Sequence, residues 1–94
     1  MLAQSPLDIK EVKKEDRDKQ ILRLGMIAEL DAINLYEQLA AMTEDQGIKK
    51  ILMDVAREEK THVGEFQTLL KKRDAQYIKE LEEGEKEVEE ELSE

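Results

Sequence analysis

Glu59 and His62 stand three residues apart in the run Arg57-Glu58-Glu59-Lys60-Thr61-His62, and His62 is the only histidine of the chain. On a helix this spacing puts a carboxylate and an imidazole on one face, where both can reach a single metal ion. Glu29 is a third candidate ligand. Leu22 and Met26 lie seven and three residues before it, and Ile33 and Tyr36 four and seven after it. Around Glu59 the pattern repeats, with Leu52 and Val55 seven and four residues before, and His62 and Phe66 three and seven after. The three polar groups thus interrupt stripes that are otherwise apolar. A charge buried alone is costly, so each group must be neutralised, paired or bound to a cation. One Glu from one helix plus one Glu-x-x-His from the next is half of a di-iron carboxylate site. Oxygen and imidazole donors suit iron, manganese or zinc, and redox chemistry favours iron because zinc keeps one oxidation state.

Bland readings compete with this one. Glu29 could be a boundary residue whose carboxylate reaches water. His62 could be a neutral core histidine with one hydrogen bond. Glu59 could pair with a cation on another helix or subunit, since Val55, Ala56, His62 and Val63 fill the neighbouring turns of its own. In a chain with 24 acids, a single acid on a stripe means little. The conjunction means more: both ligand-bearing turns fall near the middle of their helices, and a short hairpin brings them level. A four-helix carboxylate site takes Glu-x-x-His from each of two helices, and one histidine cannot supply that. A two-fold dimer supplies Glu29, Glu59 and His62 twice, with two metal ions flanking its axis.

The elements that must position these groups follow from periodicity. From about Lys14 to Met42 there is no proline, and the one glycine is Gly25. Leu22, Met26, Ile33, Tyr36 and Ala40 recur at helical spacing, widened by Ile27, Leu30 and Leu39. Thr43-Glu44-Asp45-Gln46 fits a capping box, with Thr43 as N-cap and Gln46 three residues on. A second helix runs to about Lys72, with Lys71, Lys72 and Arg73 suiting its negative C-terminal end. Asp74 could cap a shorter third helix carrying Tyr77, Ile78 and Leu81. The expected fold is all-α: two long antiparallel helices plus a short third, dimerising into a four-helix bundle. Residues 1–13 read as a flexible N-terminal arm, 14–79 as the helical hairpin domain and 80–94 as an acidic tail or linker.

Composition bounds the function. The net charge of -9 is unevenly spread: residues 80–94 hold nine Glu and one Lys, whereas the other 79 hold 14 Lys/Arg and 15 Asp/Glu. Such an acidic tail reads as solvated, fraying or disordered. No basic stripe or stacking aromatic suggests nucleic acid. No apolar run approaches the roughly 20 residues of a membrane span, and no signal pattern opens the chain. Cysteine is absent, which excludes disulfides and thiolate metal sites. The default location is cytoplasmic.

The runs Ala28-Glu29-Leu30-Asp31-Ala32-Ile33-Asn34-Leu35-Tyr36 and Arg57-Glu58-Glu59-Lys60-Thr61-His62 resemble the encapsulated ferritin-like proteins. The resemblance extends from about Ser5 to Lys79. It implies a ferritin-like bundle with a di-iron ferroxidase centre between subunits, and five dimers closing into a ring-like decamer. It also implies residence in an encapsulin nanocompartment, whose shell protein is the partner. By that resemblance Glu29, Glu59 and His62 are the iron ligands and the catalytic residues. Tyr36 corresponds to a tyrosine close behind the site, and Asp31 to an acid on the route by which metal enters. Two departures stand out. Ala28 and Leu35 occupy positions where the family can show an acid and a tryptophan near that route. The tail also lacks the Gly/Leu-rich targeting peptide usual for shell cargo. Some archaeal relatives fuse the domain to the shell protein, and this chain could be such a domain cut at an acidic linker. The expected activity is oxidation of Fe(II) to Fe(III) for storage. The alternatives are a rubrerythrin-like peroxidase, a manganese or zinc binder, or a purely structural helical oligomerisation module.

Overall fold

The computed structural model describes residues 11–93, which form three helices and no strand. The sequence-predicted N-terminal arm falls largely on residues 1–10, outside the described ones. Helix α1 spans Lys14–Met42 and α2 spans Gln46–Lys71. Glu15 and Asp16 lie in the first turn of α1, where carboxylates complement the positive end of the helix dipole. The chain leaves α1 in an extended conformation at Thr43 and turns back within three residues. That short link makes α1 and α2 an antiparallel hairpin.

The start of α2 differs from the capping box expected at Thr43. Asp45 is the N-cap, and its Oδ1 accepts from the Ile48 backbone N–H at 3.0 Å. The Thr43 hydroxyl accepts from the Asp45 N–H at 3.1 Å. Asp is at least as good a cap as Thr, and with Thr43 engaged inside the link the helix begins two residues later than a Thr43 cap would allow. At the other end of α2, Lys72 and Arg73 donate backbone N–H groups to the Thr68 and Leu70 carbonyls. The Arg73 guanidinium donates to the Leu69 carbonyl at 2.8 Å, as a cation at a helix C-terminus should.

Helix α3 spans Ala75–Leu92 and is capped by Asp74, whose Oδ1 accepts from the Tyr77 N–H at 3.0 Å. It runs through the acidic segment expected to fray. Glu, Lys and Leu are strong helix formers, no proline interrupts them, and Gly84 is absorbed within the helix at a cost of about 1 kcal/mol. None of its residues is buried, so the segment is solvated as expected but helical. The base of α3 is tied down by Arg23 Nη2 to Asp74 Oδ2 at 3.1 Å, and by the Tyr77 hydroxyl, which donates to Gln67 Oε1 at 3.3 Å.

The core is a thin seam between α1 and α2. Among the described residues, Ala40, Ala56 and Leu70 are the buried apolar ones. The Cα radius of gyration is 16.9 Å. A compact domain of this length would have about 12 Å. Much apolar surface stays open: Ile51 is 63% exposed, Ile48 53% and Leu30 50%. Apolar side chains also line two grooves of the hairpin. Ile21, Leu22 and Leu69 line a shallow groove on one side. Met26, Ile27, Leu30, Leu70 and Tyr77 line another beneath the base of α3.

Candidate metal centre

Glu29 projects from the middle of α1, and Glu59 and His62 from the middle of α2. The hairpin brings the two turns level, as the spacing predicts. His62 Nδ1 lies 3.4 Å from Glu29 Oε2 and 3.6 Å from Glu59 Oε2. One donor atom from each of the three residues falls within 4.8 Å of the others. The two carboxylates are mostly covered, at 20% and 18% side-chain exposure, while the His62 ring is 43% exposed. The cluster therefore has a covered floor and an open mouth on the imidazole side.

The donor set fits a divalent transition ion. Bonds of about 2.1 Å place two ligands at most about 4.2 Å apart, so modest side-chain rotation would gather all three on one ion. Two carboxylates and an imidazole fill three positions and leave the remainder of an iron coordination sphere unfilled. The side of α2 that carries His62 also carries apolar residues further along the helix. Ile51 and Leu69 sit eleven residues before and seven after His62, within about 20° of it around α2. Both are exposed.

The other predicted residues lie apart from this cluster. Tyr36 is half-buried on the same face of α1, two turns beyond Glu29, and no hydrogen bond joins it to the cluster among the described residues. Asp31 is half-buried two residues after Glu29, about 160° around the helix, and does not belong to the ligand group. Two features escaped sequence reasoning. Lys60 Nζ reaches Glu37 Oε2 at 3.6 Å, bridging α2 to α1 beside the site. Gly25 packs against the Phe66 ring one turn from the ligands. An isolated glycine inside a helical pattern costs about 1 kcal/mol against alanine, which hints at a packing reason but does not name the residue that faces it.

The sequence profile of the EncFtn-like family matches residues 5–87. The chain belongs to the EncFtn-like family. Among curated proteins it is 52% identical over 92 residues to the ferritin-like-encapsulin shell fusion protein of Pyrococcus furiosus. That match takes in 96% of this chain and 27% of the relative, so the chain spans about a quarter of the relative's length. Among solved structures it matches the crystal structure of the encapsulated ferritin domain from Pyrococcus furiosus, with a TM-score of 0.82 and 49% identity. The match covers 96% of this chain and 94% of that one. The EncFtn-like chain accordingly has a ferritin-like, all-α fold, with a candidate acidic and histidine metal site on the hairpin.

Proposed function

We propose that this chain is a ferroxidase whose di-iron centre forms between two copies, serving iron storage with an encapsulin shell. The observation that carries the reading is the convergence of Glu29, Glu59 and His62 into one open half-site. A second copy docked by its two-fold axis across the mouth would cover Ile51 and Leu69 and bring an equal set of ligands. The exposed surface supports association: 7633 Å² is accessible on the single chain. A folded monomer of this mass would expose about 5600 Å².

Iron is the substrate in this reading. A pair of Fe(II) ions supplies two electrons, which with two protons reduce dioxygen to hydrogen peroxide, or hydrogen peroxide to two waters. The protein's part is electrostatic and geometric. Glu29 and Glu59 bring negative charge that favours the higher oxidation state of the ions. His62 offers a ring nitrogen lone pair from the α2 side. The covered floor holds the carboxylates away from bulk water, which strengthens their pull on a cation. The relative's fusion to an encapsulin shell protein supports placing this domain inside such a shell, where released Fe(III) would accumulate.

Anaerobic Fe(II) titration followed by air, read by absorbance and native mass, tests the proposal. Two irons per dimer and iron-dependent association are expected, with oxidation strongly reduced in His62→Ala and Glu59→Ala at unchanged helical content. A folded monomer that binds and oxidises iron without associating would sink the shared centre. Full activity in Glu59→Ala would sink the ligand assignment. A wild-type oligomer indifferent to metal would leave only a structural module.

A further inference from the structure

Gly25 lies four residues before Glu29 on α1, and Phe66 lies four residues after His62 on α2. Because the helices are antiparallel, both sit one turn from the ligands in the same direction along the hairpin. A Cβ placed on Gly25 would lie 3.3 Å from Phe66 Cε2 and Cζ, and 3.4 Å from Cδ2. Comfortable carbon contacts are about 3.5–4.0 Å. Among the described glycines none has a positive φ, so backbone freedom does not explain a glycine here. Close approach does. Gly64 and Gly84, by contrast, face open space. The aromatic ring is therefore seated directly on the α1 backbone. One turn further along, the 3.4 Å approach of His62 to Glu29 spans the same interhelical gap.

We propose that Gly25 and Phe66 are positioning residues: the ring seated on the glycine sets the α1–α2 spacing at which Glu29, Glu59 and His62 reach one shared cation. This rests on the metal-binding reading above. A methyl group at residue 25 would force the ring or the helix to yield by a few tenths of an ångström. Metal–ligand distances tolerate only about 0.2 Å, so the displacement is large on the scale that matters. Loss of groups that orient metal ligands weakens affinity by about 10–100-fold, and the lower end of that range is expected.

Co(II) is a suitable probe because its visible spectrum reports coordination. The full chain, Gly25→Ala, Phe66→Leu and the double variant are titrated with Co(II), and each is melted without metal. Gly25→Ala should bind about tenfold more weakly with an altered spectrum. Its metal-free melting temperature should hold or rise, because Ala is the better helix former. Adding Phe66→Leu to Gly25→Ala should recover most of the affinity by making room for the methyl, a coupling that independent sites do not show. Unchanged affinity in Gly25→Ala, or a loss that the double variant does not recover, overturns the inference. If Gly25→Ala does not fold, Phe66→Leu decides: the loosened gap should weaken Co(II) several-fold, and undiminished affinity overturns the inference. A wild-type chain that ignores Co(II), or binds it equally well after Glu59→Ala, refutes the metal reading itself and removes the basis of this one.

Discussion

Glu29→Gln should stabilise the metal-free protein and destabilise the metal-loaded one, inverting the order of melting. Gln keeps the shape and an oxygen that can still accept from His62, so the change removes charge without leaving a cavity. In the metal-free state the Glu29 and Glu59 donor atoms lie within 4.8 Å of one another. Two unit charges at that distance repel by about 3.5 kcal/mol at an effective dielectric of about 20, and by about 0.9 kcal/mol in water. The half-open mouth at His62 puts the site between these limits, so a gain of about 1–2 kcal/mol is expected. For a domain of this size that corresponds to a rise of roughly 5–15 °C in melting temperature. Cation binding reverses the sign. At a free concentration about 100 times its dissociation constant, a bound ion stabilises the wild type by about 2.7 kcal/mol, and a variant lacking one carboxylate forfeits most of that. Thermal melting by circular dichroism, at fixed protein concentration with chelator and then with Co(II), measures both. A metal-free variant melting below wild type would show that Glu29 is held by favourable contacts rather than strained by repulsion. Failure of the order to invert with Co(II) would remove it from the ligand set.

Two further outcomes follow from α3. The Tyr77 backbone N–H, against an opposing push from burial, holds the Asp74 carboxyl below the usual carboxylate range, helped by the Lys19 and Arg23 charges. A depressed folded value means that the cap's contribution is present above the ordinary value near 3.9 and is lost as pH falls through the folded one. The Tyr77 amide resonance should therefore shift in acid with a midpoint below 3.9 in the wild type and not in Asp74→Asn; an equal shift in both would refute the linkage. Truncation after Lys79 should leave iron stoichiometry at the centre intact and slow uptake mainly at low salt, because the acidic field is screened over roughly 10 Å at about 0.1 M. Loss of oxidation at high salt with assembly unchanged would show that α3 contributes to the chemistry.

The hairpin and the convergence of Glu29, Glu59 and His62 were legible because periodicity encodes them. A helix from about Lys14 to Met42 was readable from its apolar rhythm, and three polar groups breaking two such rhythms marked the cluster. The cap of α2 was not, because Thr43 and Asp45 are both good caps two residues apart and the choice lies in how the link folds. The extent of α3 was not legible for a different reason. Composition reports whether a segment can bury apolar surface, and no residue of α3 is buried, yet a capped run of Glu, Lys and Leu is helical without burial. The role of Gly25 required knowing which residue faces it, which spacing along one helix does not contain. The roles of Tyr36 and Asp31 rested on resemblance alone, which spacing along one helix does not supply.

Because no residue of α3 is buried and only Tyr77 near its base is partly covered, the single chain is two units of stability rather than one. The hairpin melts as a packed object, whereas α3 beyond its tethers at Asp74 and Tyr77 is a helix over 78–92, about 15 residues on its own account. Helices of that length are only marginally stable in water. Amide hydrogen exchange should sort the molecule accordingly, with protection that is deepest beside Ala40, Ala56 and Leu70 and falls toward Leu92. Far-UV ellipticity should begin to fall before the hairpin opens, and a denaturant slope would report the surface of α1 and α2 alone. Whatever covers α3 in an assembly would register as merging of these two transitions into one.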